Sequence, residues 1–196
     1  MKHNGFEYVD LGLPSGTKWA KYNVGAYSET DNGLYFPFGG TVGLDSPYYE
    51  GNFDSHKLKF NGDKKATLHL DNDAAHIHMG GKWHMPTKEQ FEELLDEKKT
   101  ASTWIYDYCI REVSGRLFRS RINDETLFIP ANGFISNHQY VQNGQTCSLW
   151  TSSIDFSSVY NCTDFFCDKY NTYLARTSAY YVCIGIRGVF NTFWIK

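Results

Sequence analysis

The sequence predicts an α+β fold, with two helices in the first half and many short antiparallel strands after them. Three observations point that way. Turn signals recur every few residues up to about position 145, among them Leu13-Pro14-Ser15-Gly16, Asp31-Asn32-Gly33, Asn61-Gly62-Asp63 and Asn143-Gly144. The runs between them are short and read as strands. Helical spacing of apolar residues is confined to two stretches.

In chain order, residues 6–11 and 17–22 read as the first strands. Residues 40–66 read as one long, polar, Gly-rich loop. A short helix is expected at 71–78. The second helix opens on Thr87-Lys88-Glu89-Gln90, a capping box with Thr at the N-cap and Gln at N3. Phe91, Leu94 and Leu95 then share a face, and the helix is expected to run to about Lys99, where basic residues suit its negative end. Further strands are expected at 126–129 and 149–152. No internal repeat, low-complexity tract or linker interrupts the chain, so 1–196 is expected to form one domain.

Composition narrows the function classes. Hydrophobic residues make up 41% of the 196, enough for one core, and charged residues 21%. The net charge of −3, with no run of like charges, argues against a nucleic-acid partner, which needs a basic face. No stretch approaches the ~18–20 apolar residues of a membrane helix, so membrane insertion is not expected. Met1-Lys2-His3-Asn4-Gly5 has no apolar signal core. The expectation is a protein used without secretion, or one whose signal has been removed. Aromatic residues reach 17%, an excess that feeds either a core or a recognition surface. Cys109, Cys147, Cys162, Cys167 and Cys183 are odd in number and match no zinc spacing, so they read as free thiols.

Several blocks stand out along the chain. The first is Tyr8-Val9-Asp10-Leu11-Gly12-Leu13-Pro14-Ser15-Gly16-Thr17-Lys18-Trp19-Ala20, with Asn23-Val24-Gly25-Ala26 after it. Asp73-Ala74-Ala75-His76 and Gly80-Gly81-Lys82-Trp83-His84-Met85-Pro86-Thr87 follow. Then come Leu127-Phe128-Ile129-Pro130-Ala131-Asn132-Gly133-Phe134, Leu149-Trp150-Thr151-Ser152-Ser153 and Gly185-Ile186-Arg187-Gly188-Val189. Together they resemble, in family order, the Fibrobacter-type major paralogous domain, a C-type-lectin-like family. Residues 40–66 and 105–125 match no part of that pattern. The resemblance implies two antiparallel sheets, two helices and paired N- and C-terminal strands, so that 6–11 would pair with 189–194. It implies buried Trp19, Trp83 and Trp150. It also implies kinship with two groups: the variable proteins of diversity-generating retroelements, phage tropism determinants included, and the formylglycine-generating enzymes.

Residues 154–184 differ from everything before them. Glu, Lys, Gln, Met and Trp supply 31 of the first 153 residues but one of these 31, Lys169, where about six would be expected. Pro and Gly are absent, while eight aromatics and three cysteines crowd in. In the retroelement families adenines are mutagenised, mainly in Asn codons. Randomising the first two bases of AAC or AAT cannot produce Glu, Lys, Gln, Met or Trp. The segment resembles such an output, and it lies between the last two blocks, where those families place their variable region. Tyr supplies large, rigid contact area, and Ser, Asn and Asp supply adaptable hydrogen bonds. The contrary reading is an aromatic β-sheet core. The candidate ligand-contacting residues are Asp155, Phe156, Tyr160, Asp164, Phe165, Phe166, Tyr170, Tyr173, Thr177, Tyr180 and Tyr181.

Other constellations carry less. His76, His78 and His84 fall close together, but His76 belongs to a block and reads as a structural histidine. Asp71 and Asp73 fall in the expected helix, which cannot by itself supply calcium's six to eight oxygens. The lectin calcium signatures Glu-Pro-Asn and Gln-Pro-Asp are absent. Glu92-Glu93 reads as a solvated helix face. Cys162-Thr163-Asp164-Phe165-Phe166-Cys167 resembles the copper-binding pair of the formylglycine-generating enzymes, with Ala175-Arg176 after it, but the Arg-Gly-Gly-Ser block that precedes the enzyme pair is missing.

The expectation is therefore a receptor-recognition domain and not an enzyme, with no cofactor and no metal. Residues 1–153 would form a scaffold, 154–184 a diversified surface and 185–196 the closing strand. The partner would be a protein or glycan on another cell. The setting would be a phage tail tip or a bacterial cell surface, with oligomers formed through a fibre or tail. The alternatives are a non-diversified adhesin or pilus-tip module, and a copper oxidase using Cys162 and Cys167.

Overall fold

The computed structural model describes residues 1–47, 67–109, 112–154, 161–178 and 182–192. Asn4 and Gly5 join β1 (Lys2–His3) to β2 (Phe6–Val9), with His3 opposite Phe6. Both take positive φ, 47° and 84°, the geometry that a two-residue hairpin loop demands of its two central residues. β3 (Thr17–Ala20) pairs with β2, and its other edge takes β14 (Val189–Asn191). Trp19 lies opposite both Val9 and Val189 and is fully buried. The expected direct pairing of 6–11 with 189–194 is thus corrected, because 17–20 lies between them. The connection through Leu13-Pro14-Ser15-Gly16 is short, so 6–9 meets 17–20 as a local neighbour.

A second sheet holds β4 (Tyr35–Phe36), β8 (Phe134–Ser136), β9 (Gln139–Val141), β10 (Cys147–Ile154), β11 (Asn161–Cys167), β12 (Thr172–Ser178) and β13 (Val182–Gly185). Its order is β12-β11-β10-β13-β8-β9, with β4 on β13. The β10–β13 pair is parallel, at Leu149 and Gly185, and the others are antiparallel. The Asn132 side-chain amide bonds both backbone groups of Ser148, at 2.9 Å each. A Cβ at residue 185 would come within 2.6 Å of that amide, so Gly185 admits the clamp. The third sheet is the meander β5 (Thr100–Tyr108), β6 (Val113–Ser120) and β7 (Thr126–Pro130).

The helices are short. α1 (Ala74–Met79) begins at Asp73, whose carboxylate accepts from the backbone of His76 at 2.9 Å and of Met85 at 2.8 Å. A single 3₁₀ turn, Leu70–Asn72, precedes it, so the stretch expected as one helix from 71 is broken. α2 (Lys88–Leu95) carries the Thr87/Gln90 capping box but stops four residues early. The chain turns there: the backbone N–H groups of Lys99 and Thr100 both donate to Asp96.

Strands far outweigh helices, 44% against 11%. The α+β, C-type-lectin-like class is therefore corrected to a β-rich fold. β5 and β6 occupy 100–108 and 113–120, largely a region that matched no block, while the helical signals extend over one and two turns.

The sheets enclose two apolar clusters. One gathers Phe36, Phe38, Trp83, Trp150 and Ile184; the other gathers Trp19, Phe91, Phe118, Leu149 and Phe165. β10 runs between them, buried from Cys147 to Ser153, with Leu149 turned to one cluster and Trp150 to the other. Trp19, Trp83 and Trp150 are fully buried, as their blocks implied. Arg187 is also fully buried. Its guanidinium donates to Asn23 Oδ1 at 2.8 Å and to the carbonyls of Ala20, Lys21 and Phe128 at 3.1, 2.6 and 3.1 Å. Burial lowers its pKa, and these four oxygens replace the water it has lost.

Candidate ligand-binding face

The β11–β12 hairpin forms one edge of the large sheet and carries most of the described part of 154–184. Because strand side chains alternate, the hairpin has two rows. The inner row pairs Phe165 with Leu174 and Cys167 with Thr172. Phe165 is fully buried, stacked on Phe91 of α2 with centroids 4.9 Å apart and tilted against Phe118 at 6.1 Å. The outer row pairs Phe166 with Tyr173, Asp164 with Ala175 and Cys162 with Thr177. Tyr173 is 48% exposed and its ring lies 5.2 Å from the half-buried Phe166.

Of the candidate contact residues, Phe166, Tyr170, Tyr173 and Thr177 reach the surface. Phe165 does not: it is core, so its assignment to the ligand face is corrected. Asp164 is corrected as well, since only 2% of it is exposed. Its Oδ1 has no hydrogen-bond partner. Burial pushes its pKa up to about 6, and a hydrogen bond from Thr177 pulls the other way. Asp155, Phe156, Tyr160, Tyr180 and Tyr181 lie outside the described residues.

The hairpin tip is held by its own polar groups. Asp168 Oδ1 accepts from the backbone N–H of Tyr170 at 2.7 Å and of Asn171 at 2.6 Å, and Asp168 N donates to Asn171 O at 3.0 Å. Tyr170 projects from this turn, 77% exposed, with Lys169 Nζ 4.5 Å from its ring centroid. Arg116 of β6 ties the tip to the three-stranded sheet: Nη2 donates to the carbonyls of Asp168 and Asn171. The same guanidinium lies 5.7 Å from the ring centroid of Trp104, its cross-strand partner on β5.

A cavity of about 400 Å³ opens there between the two hairpins and the turn before β10, lined by Trp104, Tyr106, Gln142, Gln145, Thr146 and Tyr170 among others. The sequence reading missed Trp104, Tyr106, Gln142 and Gln145. A signal was present: Ser102-Thr103-Trp104-Ile105-Tyr106-Asp107 sets two aromatics two residues apart among polar neighbours, the pattern of an exposed strand face.

The paired-thiol reading does not fit. Cys162 and Cys167 are five residues apart on one strand, so they point to opposite faces, roughly 16 Å apart. Cys162 belongs to one apolar cluster and Cys167 to the other. One copper ion cannot take both, so that alternative is corrected. Cys167 instead lies in register with Cys147, and all five cysteines are free thiols. Burial pushes the Cys162 thiol up to about 12, helped by Asp164. The three clustered histidines each bond a different carbonyl: His76 that of Trp83 at 3.1 Å, His78 that of Thr41 at 2.9 Å and His84 that of Met85 at 2.9 Å. Glu93 is no solvated bystander, since its carboxylate accepts from the backbone N–H and hydroxyl of Ser15.

Compared with family models, with curated proteins and with solved structures, the chain matches none.

Proposed function

We propose that this chain is a recognition domain in which the outer face of the β11–β12 hairpin, with its flanking residues within 154–184, is a diversified ligand-contacting surface. One observation carries the reading. The compositional break falls on a segment whose inner row keeps core residues while the tip and part of the other row present Phe166, Tyr170, Tyr173 and Thr177, with Cys162 and Asp164 of that row buried. Mutagenesis of Asn codons yields the residue types found there, and a buried inner row restricts which products survive. The reading does not rest on the fold class. The resemblance to variable proteins of diversity-generating retroelements supports it, and with it a place on a phage tail tip or a bacterial surface, facing a protein or glycan on another cell.

Deep sequencing of the gene across a growing population tests the proposal without knowledge of the ligand. Substitutions are expected to concentrate within 154–184, frequent at the exposed Tyr170 and Tyr173 and rare at the buried Cys162, Asp164, Phe165 and Cys167. A substitution rate in 154–184 no higher than in 1–153 would reject diversification and leave a fixed adhesin.

A further inference from the structure

We propose that the cavity between the β5–β6 hairpin and the tip of the β11–β12 hairpin is a saccharide-binding site, in which Trp104, Tyr106 and Tyr170 supply stacking faces and Gln142 and Gln145 bind hydroxyls. A pyranose ring has a flat C–H face and a rim of hydroxyl groups that donate and accept. It is matched by aromatic faces beside planar side-chain amides, which also donate and accept. The cavity holds both kinds of group, and its volume of about 400 Å³ lies in the range of small-molecule sites, about 300–1,000 Å³.

The charges that line it are already engaged. The Asp168 carboxylate is held by two backbone N–H groups, and Lys169 Nζ lies over one face of the Tyr170 ring. What remains is aromatic and neutral-polar, which suits a sugar better than an ion or a charged peptide. Part of the lining is also held in advance. Arg116 braces the tip against Trp104. Gln142 takes φ of 55°, its carbonyl accepts from Gln145 and Thr146 at 2.9 and 3.1 Å, and its Oε1 accepts from the Thr146 hydroxyl at 3.3 Å. That leaves the Gln142 Nε2 hydrogens to donate to a ligand. Side chains ordered before binding lose less entropy when the ligand arrives.

The site shares Tyr170 with the diversified face, but its other four named residues lie outside 154–184. It therefore stands or falls independently of the population sequencing.

The test applies the full chain to an array of immobilised oligosaccharides spanning neutral hexose, N-acetylhexosamine and uronic-acid types. The best free oligosaccharide is then titrated by tryptophan fluorescence. Trp104 is half-exposed, whereas Trp19, Trp83 and Trp150 are fully buried. Binding with Kd at or below about 1 mM is expected, and Tyr170→Ala or Gln145→Ala should each weaken it about tenfold or more with the melting temperature unchanged. Trp104→Phe should keep the fold and abolish the fluorescence change. No saccharide bound at that level, or binding that survives both Tyr170→Ala and Gln145→Ala, would overturn the proposal, and so would capture of peptides in place of sugars.

Discussion

The two rows of the β11–β12 hairpin come from one compositional pool and do opposite work. The inner row, Phe165 and Cys167, completes an apolar cluster under α2. In the outer row Phe166 and Tyr173 reach the surface, while Asp164 and Cys162 are buried, Cys162 within the other apolar cluster. An aromatic count over the segment cannot separate the two, because side-chain parity decides which ring meets the core and which meets solvent. The same parity divides Cys162 from Cys167.

The largest expected effect lies in the inner row. Phe165→Ala removes a buried ring stacked on Phe91 and should cost about 3–5 kcal/mol in chemical denaturation, matching Trp83→Ala in the scaffold. A loss below about 1 kcal/mol would mean that the inner row is not core, and would erase the contrast.

Asp164 gives the next effect, with a defined sign. Its folded pKa, about 6, lies above the ordinary carboxyl value of 3.8, so the folded state binds its proton more tightly than the unfolded chain. The associated stability is present in full below about pH 4 and is lost as pH rises to about 6. The loss is up to about 3 kcal/mol at roughly 1.4 kcal/mol per pH unit. Asp73 is also raised by burial, so the pH curve of the wild type alone does not isolate Asp164. Asp164→Asn should raise stability at pH 7.5 relative to wild type and flatten the curve between pH 4 and 6. Two parallel curves would show that Asp164 is not held in the buried state.

The smallest effect lies on the outer face. Tyr173→Ala and Tyr170→Ala should shift stability by no more than about 0.5 kcal/mol. Thermal melts check this directly. A drop comparable to that of Phe165→Ala would make the outer row structural and remove the basis for a contact surface.

Local chemistry was legible in the sequence, and long-range pairing was not. The Thr87/Gln90 capping box and the Leu13-Pro14-Ser15-Gly16 turn act over a few residues, and the residue types alone announce them. Burial of Trp19, Trp83 and Trp150 could be read from their blocks. β5 was legible only in the alternation of Trp104 and Tyr106; Ala101, Ser102 and Thr103 are exposed, and their strand character comes from the partner β6. The insertion of β3 between the terminal strands, and the engagement of Arg187 by oxygens from residues 20, 21, 23 and 128, depend on contacts that no local window contains. The candidate site was half legible: composition marked the segment, parity sorted it, and the Trp104–Gln145 side of the cavity lay outside the window where the bias was sought.

The parallel β10–β13 pair has a consequence for how this protein can change. Segment 154–184 leaves the sheet from β10 and returns as β13, and those two strands are bonded to each other at Leu149 and Gly185. Just beyond, the buried Arg187 fastens the return to two other parts of the chain, residues 20–23 and Phe128. The excursion is closed at its root, so residues added to or removed from the hairpin tip leave that closure in place. Each doubling of a flexible loop's length costs only about 0.6 kcal/mol. The closure thus does not depend on the length of the hairpin, whose tip can lengthen without rebuilding the sheets beneath it.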